Sequence, residues 1–316
     1  GIILITHRMD EIEEIGDRIT VLRSGVTVGT VDDENWTTDQ LIVMMTGGEH
    51  LAQTAARAES RRPAAESPVV LETRGLRLAP GRAPIDMTIR AGELIGLAGL
   101  EGQGQDAFIK ALAGIGAVSG DVVRHDREGR EVAIANHDTA HAQRIAYVPR
   151  ERRGESLFEW MSILDNFSIA TVSEDARAGL LNPRSTARRF GEYVSRLSIK
   201  TGRTSNAITT LSGGNQQKVI IARWLATRPE VLLLNDPTRG IDINAKRDLY
   251  RLLGSLTAEG LAVVMLSTEV DEHVELMDRV LVFNDFECAR ELDHAETTRN
   301  RLVASFFGKE APDGQE

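Results

Sequence analysis

One stretch of this sequence occurs twice, and the repeat limits what the chain can fold into. Residues 2–22, IILITHRMDEIEEIGDRITVL, align without a gap with residues 263–283, VVMLSTEVDEHVELMDRVLVF, at an offset of 261 positions. The register continues beyond this stretch, since Leu41 meets Leu302. Self-similarity at a fixed offset indicates two copies of one structural unit. Whatever forms near the C-terminus is therefore expected to recur near the N-terminus.

The repeat predicts the domain organisation. Residues 1–48 are interpreted as the last part of a first copy, and residues 69–308 as a complete second copy. The segment 49–68 is rich in Ala, Arg, Ser and Pro, which is typical of a linker, and residues 309–316 form a tail. Because residue 1 directly enters the apolar run GIILIT, which is interpreted as a buried strand, we expect a truncated first copy. The alternative is a natural chain with an N-terminal extension.

The composition excludes some functional classes. The 316 residues are 41% hydrophobic and 27% charged, which is ordinary for a globular protein. A net charge of -10 argues against a general nucleic-acid binder. The single cysteine, Cys288, excludes an intramolecular disulfide and suits a reducing cytoplasm. No apolar run approaches the roughly 20 residues that span a bilayer, so a role at a membrane would need a separate membrane partner.

Strand and helix patterns alternate along the second copy. Short apolar runs at 93–99 (ELIGLAG), 231–235 (VLLLN) and 262–267 (AVVMLS) are each followed by a segment with helical spacing. Such alternation predicts an α/β fold with a mostly parallel sheet covered on both faces.

A glycine-rich loop, GLEGQGQD at 99–106, stands between the first of these runs and a helix pattern. Strand, glycine loop and helix are the setting of a phosphate-binding loop, G-x-x-x-x-G-K-[ST]. Gln105 stands at the lysine position of that pattern, and Asp106 stands at the Ser/Thr position. The loop is expected to retain glycines whose amides can face a nucleotide, at Gly99, Gly102 and Gly104.

A longer segment, TTLSGGNQQKVIIARWLATRPEVLLLNDPTRGID at 209–242, is more specific. Ser212 is suited to cap a helix, and Gly213–Gly214 leave the helix N-terminus open to an anion. A predicted strand then ends at Asn235, with Asp236 at its carboxyl end, where ligands gather in parallel sheets.

The string LSGGNQQK resembles the signature motif of the ATP-binding cassette ATPases. Its form is similar to that of the tandem-domain ATP-binding subunits of bacterial monosaccharide importers, the ribose, galactose and xylose type. The resemblance implies an α/β P-loop NTPase of the ABC type, with a mostly parallel sheet core, a β subdomain and a helical signature subdomain. It also implies ATP and Mg²⁺ as cofactors.

In that family two cassettes pair head to tail around two ATP molecules. Each site combines the P-loop, Walker B segment and switch histidine of one cassette with the signature of the other. By this resemblance the second copy supplies an intact signature, made of Ser212, Gly213, Gly214 and Gln216. The switch histidine of the same site would be His7, in ITHRMDE. Asp242, in RGID, falls at the dimer-contact loop, although a helix-capping role is equally compatible with its position.

The nucleotide half-site of the second copy itself departs from the family pattern. Beside Gln105 and Asp106, the Walker B pair becomes Asn235–Asp236, which leaves Asp236 as the candidate catalytic carboxylate. Thr268 stands at the switch-histidine position. This half-site is expected to bind Mg²⁺ and ATP weakly or not at all. The family is an ATPase family, but this chain alone is not expected to hydrolyse ATP.

The resemblance further implies an energy-coupling role at the cytoplasmic face of the inner membrane. The implied partners are an integral-membrane permease, a periplasmic sugar-binding protein that acts indirectly, and another cassette, with no nucleic acid. Two alternatives remain open: a non-transport ABC ATPase, and a non-catalytic regulatory or scaffold module. No metal-ligand spacing is found among His137, His141, His273 and His294.

Overall fold

The computed structural model describes the following parts of the chain: 1–6, 12, 14–23, 26–32, 37, 40–41, 43–44, 67–116, 118–176 and 182–308. The candidate switch histidine, His7, lies outside the described residues, as do the predicted tail and all of the predicted linker before residue 67. The chain divides into two compact units, residues 1–62 with 242–244, and residues 63–241 with 245–316. The domain boundaries proposed from the sequence remain predictions.

In the first unit, two strands form an antiparallel hairpin, β1 (Arg18–Arg23) and β2 (Val26–Asp32). Residues 1–6 form no strand, so the interpretation of GIILIT as a buried strand is wrong for this structure. Ile2 is 97% exposed and Ile3 is 93% exposed. A strand needs a neighbour for its backbone hydrogen bonds, and no described strand pairs with this segment.

The elements that follow residue 66 form an alternating α/β pattern. The strands are β3 (Val69–Arg77), β4 (Ile85–Arg90), β5 (Leu94–Ala98), β6 (Ser119–His125), β7 (Glu131–Ala133), β8 (Ile145–Val148), β9 (Val231–Asn235), β10 (Ala262–Leu266), β11 (Arg279–Asn284) and β12 (Glu287–Asp293). The α-helices are α1 (Gln105–Leu112), α2 (His137–Ala142), α3 (Ile163–Ser168), α4 (Val172–Asp175), α5 (Pro183–Arg196), α6 (Gly213–Leu225), α7 (Ile243–Ala258), α8 (Val270–Leu276) and α9 (Arg299–Phe306).

These strands form two sheets. The larger has the order β12-β11-β5-β10-β9-β8, with five parallel strands and β12 antiparallel at one edge. The smaller is antiparallel, with the order β4-β3-β6-β7. The mostly parallel sheet and the separate β region predicted from the sequence are thus both present.

Both faces of the larger sheet are covered. Every residue of β5, β9 and β10 is buried. Alternate residues of a strand point to opposite faces. Leu232 and Leu234 accordingly join a core with helices α3, α5, α6 and α7, whereas Val231 and Leu233 join a core with α1 and the smaller sheet. None of the helices in the described part of the chain is long and apolar enough to cross a membrane.

The internal repeat extends to backbone hydrogen bonding. In the first hairpin Arg18 pairs with Asp32, and in the second, β11–β12, Arg279 pairs with Asp293. The register of both hairpins shifts after the fourth residue of the first strand. At the offset of the sequence repeat, each strand of one hairpin falls on its counterpart in the other. The repeat therefore describes one backbone arrangement formed twice.

Candidate functional site

Four chain segments meet at the carboxyl ends of the parallel strands. They are the loop 99–104 after β5, residues 149–151 after β8, Asp236 after β9, and Ser267–Thr268 after β10. The order of the sheet brings together these segments, which are far apart in sequence. The loop begins at Gly99 with φ 147°, and a Cβ atom there would lie 2.6 Å from the carbonyl oxygen of Phe283. Only glycine fits this position without a shift of the backbone.

The side chain of Gln105 fills the loop that precedes it. Its Nε2 atom donates hydrogen bonds to the carbonyl oxygens of Leu100, at 2.7 Å, and Gly99, at 3.3 Å. Since those oxygens only accept, the amide nitrogen must face them. The Oε1 atom is then buried without a hydrogen-bond partner among the described residues. A phosphate is bound by hydrogen-bond donors and positive charge. Where the phosphate-binding pattern has a lysine, Gln105 places a buried acceptor oxygen, which cannot bind a phosphate.

The carboxylate of Asp106 is neutralised within the protein. Its Oδ1 atom accepts a hydrogen bond from Nδ2 of Asn235 at 2.7 Å, and its Oδ2 atom lies 2.8 Å from Nζ of Lys110. Burial raises the pKa of Asp106, but the hydrogen bonds from Lys110 and Asn235, with the charges of Lys110 and Arg150, outweigh burial and leave the pKa below its usual value. Asp106 is therefore an ion-paired carboxylate.

Asn235 links three elements of the site. Its side chain is fully buried, and Nδ2 donates both to Asp106 on α1 and to Oη of Tyr147 on β8, the latter at 3.1 Å. Because Nδ2 faces the carboxylate, Oδ1 points elsewhere and has no hydrogen-bond partner in the described structure. An aspartate at position 235 would instead face Asp106 with a like charge, which explains why the neutral amide suits this site.

Asp236 is the most buried carboxylate of the site, and an arginine compensates it. Its side chain is 1% exposed, and Nε of Arg150 lies 3.3 Å from its Oδ2 atom. Nη1 of the same arginine donates to Oε1 of Glu101, in the glycine loop, at 2.8 Å. Burial raises the pKa of Asp236, while the charges of Arg150 and Arg239 act in the opposite direction. Thr268 lies beside Asp236, with 3.4 Å between Oγ1 and Oδ1.

Arg150 was not among the predicted site residues. The sequence signal that could have found it is the basic run RERR, which follows strand β8 at the carboxyl edge of the sheet. Charged residues that directly follow a parallel strand are placed at the ligand-binding edge.

These residues do not fit a magnesium–phosphate group. The carboxylates of Asp106 and Asp236 already face Lys110 and Arg150. The amide nitrogen of Gln105 is bonded to the loop carbonyls, and the buried oxygen it leaves is an acceptor. Phosphate binding needs free donors and cations, and this half-site has its cations engaged in ion pairs.

The signature segment lies at the start of helix α6. Ser212 occupies the N-cap position, but its hydroxyl accepts no hydrogen bond from a helix amide. Oγ accepts instead from Nδ2 of Asn215 at 2.9 Å, so Ser212 stands at the predicted N-cap position without a hydrogen bond from its hydroxyl to the helix backbone. A Cβ atom on Gly213 would lie 3.1 Å from Nη2 of Arg152, so the bare backbone lets the guanidinium approach closely. Gly214 is buried.

Gln216 and Asp242 have local structural contacts. The buried side chain of Gln216 donates from Nε2 to the carbonyl oxygen of Leu211 at 3.0 Å, which fixes the chain just before helix α6. Oδ1 of Asp242 accepts a hydrogen bond from the amide of Asn244 at 3.1 Å. Asp242 thus satisfies a free amide at the start of helix α7, as expected for the capping interpretation.

A second polar cluster lies on the smaller sheet. Glu72, His125 and Glu131 place one potential metal-binding atom each within 4.8 Å of one another. The guanidinium of Arg74 contacts both glutamates, with 2.7 Å between Nη2 and Oε1 of Glu131. Because a cation is already supplied by the protein, the cluster is an ion-pair network among the described residues.

Much of this sequence is similar to a known protein family and to known proteins. The model of the ABC transporter family matches residues 83–239. The chain is 35% identical over 312 residues to a ribose import ATP-binding protein of Rhodopirellula baltica, covering 96% of this chain and 59% of the relative. It is 37% identical over 320 residues to such a protein of Mesorhizobium japonicum, covering 99% and 61%. The chain therefore spans about three fifths of the length of these relatives.

Solved structures share the fold. An ATP-binding cassette of an ABC transporter superimposes with a TM-score of 0.64 at 16% identity, covering 77% of this chain and 98% of that chain. A dimeric ATP-binding cassette in a post-hydrolysis state, bound to ADP and Pi, gives a TM-score of 0.60 at 19% identity, covering 71% and 98%. The predicted fold class, an α/β P-loop NTPase of the ABC type, is confirmed.

Proposed function

This chain belongs to the ABC transporter family, and from that premise we propose that it forms part of the energy-coupling, ATP-binding subunit of a bacterial monosaccharide importer. The observation that carries the proposal is the similarity of nearly the whole chain, 96% and 99% of it, to two ribose import ATP-binding proteins. The string LSGGNQQK at the start of helix α6 supports the same assignment.

In this proposal the two nucleotide sites of the cassette pair are unequal. Ser212, Gly213 and Gly214 close on ATP held by a first cassette, where the open helix N-terminus meets the phosphates. The repeat register supports assigning His7 to the same competent site as its switch histidine. The half-site around Gln105 is degenerate, since its carboxylates, Asp106 and Asp236, are already paired with Lys110 and Arg150. The chain alone therefore hydrolyses no ATP.

The proposed partners follow from the same role. An integral-membrane permease binds the cassette pair at the cytoplasmic face of the inner membrane, and a periplasmic sugar-binding protein delivers the sugar to that permease. Asp242, at the start of helix α7, lies in the segment proposed to contact the other cassette. The net charge of -10 supports a role without nucleic acid.

The test joins this chain to a first cassette chosen because it has a P-loop lysine and both Walker B carboxylates. Steady-state phosphate release is measured for the joined protein and for the chain alone. We expect release only from the joined protein. There Ser212→Arg blocks closure, and His7→Ala reduces release by about 10² or more, since it removes a group that contacts the reacting phosphate. Thr268→Ala is the matched control and changes release little.

Three outcomes would contradict the proposal. Equal losses from His7→Ala and Thr268→Ala would mean that both sites hydrolyse ATP. Hydrolysis by the chain alone would mean that its own half-site is competent. Full activity of Ser212→Arg, with an unchanged far-UV circular dichroism spectrum, would favour the scaffold role over the coupling role.

A further inference from the structure

We propose that Arg150 is a built-in counter-ion that holds the degenerate half-site assembled without nucleotide. The proposal rests on the assignment of this half-site as degenerate. Arg150 forms ion pairs with Glu101 in the glycine loop and with Asp236 at the end of β9, and it stands itself after β8. One side chain thereby connects three of the four segments of the half-site.

The ion pair between Arg150 and Asp236 matters for stability because Asp236 is buried. The side chain of Asp236 is 1% exposed, whereas that of Arg150 is 24% exposed. A buried carboxylate without a nearby cation carries a large desolvation penalty, and a partner at 3.3 Å offsets part of it. Arg239 also acts on this carboxylate through its charge. Its guanidinium, however, makes its ion pair with Glu151, at 3.4 Å.

A parallel connection runs through the side-chain amides of Asn235 and Gln105. Asn235 joins Asp106 on helix α1 to Tyr147 on strand β8, and Gln105 closes the loop on its own carbonyls. With Arg150, these contacts link the glycine loop, β8 and β9 through groups of the protein itself. A bound ligand would have to displace the Arg150 ion pairs before it could bridge the same segments.

The test is amide hydrogen exchange on the full chain, without nucleotide and with millimolar Mg·ATP. The amides of Gln103 and Asp236 report the half-site, since each donates a backbone hydrogen bond there. The amides of strand β10 report global stability. Arg150→Gln is compared with Arg153→Gln, a control in the same basic run whose side chain is 77% exposed and pairs with Glu159 at 3.8 Å.

We expect Arg150→Gln to accelerate exchange at both reporter amides by about tenfold or more, because it removes the ion-pair partner of a buried carboxylate. Exchange in β10 and in the Arg153→Gln chain stays at the wild-type rate, and Mg·ATP does not slow exchange in the wild type. If Arg150→Gln does not fold, the same measurement is made on Arg150→Lys. A single ammonium keeps the charge but not both contacts, so acceleration is smaller and still confined to the half-site.

The proposal is overturned if neither Arg150 variant accelerates the reporter amides. It is also overturned if β10 or the Arg153→Gln chain accelerates equally, or if Mg·ATP protects the wild-type loop. None of these results depends on the Ser212 and His7 measurements, which concern the site that uses the signature. Failure of this inference is therefore distinguishable from failure of the proposed function.

Discussion

Gly96, in the centre of strand β5, is a position where one methyl group should lower stability strongly. A Cβ atom there would lie 2.6 Å from Nδ1 of His273 and 2.8 Å from Cγ of Met277. Neither neighbour has space to retreat, because His273 is 1% exposed and Met277 is fully buried. Nε2 of His273 also makes a 3.0 Å hydrogen bond with the carbonyl oxygen of Ser267, and movement of the ring would break it.

The magnitude of the Gly96→Ala effect follows from these two contributions. Overpacking of a dense core costs about 1–3 kcal/mol. Loss of the histidine hydrogen bond adds about 1 kcal/mol. We therefore expect the free energy of unfolding to fall by about 2–4 kcal/mol. The matched control is Gly254→Ala in helix α7, where an added Cβ meets nothing within 4 Å. There alanine should raise the free energy of unfolding by about 0.5–1 kcal/mol through helix propensity.

Urea unfolding followed by far-UV circular dichroism measures both changes, with free energies taken by linear extrapolation. Opposite signs for the two glycines are the expected result. The packing argument would be refuted by a loss below about 0.5 kcal/mol at Gly96, the scatter typical of surface substitutions. It would also be refuted if both variants shifted the midpoint in the same direction.

Two further predictions concern buried charges. Burial, with the nearby charge of Glu269, raises the pKa of Glu272 from 4.5 to about 7, so its contribution to stability is complete below pH 4.5 and is lost as the pH rises through 7. Between pH 4.5 and 7 the free energy of unfolding of the wild type should fall by up to about 3 kcal/mol relative to that of Glu272→Gln. Urea unfolding at a series of pH values measures both proteins. Parallel pH profiles of the two proteins would contradict the raised pKa of Glu272. Arg124, whose side chain is 2% exposed, is the buried one of three arginines that pair with Glu230, and it also donates a hydrogen bond to the carbonyl oxygen of Val70. Arg124→Ala should cost about 3–5 kcal/mol because it removes the buried partner of that carboxylate. Arg127→Ala removes a 76% exposed partner of the same glutamate and should cost about 0–1 kcal/mol, so equal losses in thermal unfolding would refute the reasoning.

The sequence predicted backbone features better than side-chain contacts. The strand before the glycine loop and the strand 231–235 follow from apolar runs with the right flanking residues, and both form as β5 and β9. The repeat offset predicted equivalent elements near both ends, and the two hairpins share one register. The run 1–6 was misinterpreted because an apolar pattern shows that a segment is suited to burial, not that a neighbouring strand pairs with it.

The ion pairs of the half-site could not be predicted in this way. Glu101 and Arg150 are 49 positions apart, and their contact depends on the order of strands in the sheet and on side-chain rotamers. The sequence did indicate that Gln105 and Asp106 depart from a phosphate-binding pattern. It did not indicate that Lys110, one helical turn later, neutralises Asp106.

The two hairpins have the same register but different surroundings, so they can be compared within one molecule. The β11–β12 hairpin is docked through β11 beside β5, and the four central residues of β11 are buried. The β1–β2 hairpin has the same pairing pattern in a two-stranded sheet, and β2 is mostly exposed. A two-stranded hairpin is only marginally stable by itself in water. Thr20 and Leu281 occupy equivalent positions of the two hairpins. The ratio of their protection from hydrogen exchange thus measures how much stability a hairpin gains when it is joined to a larger sheet.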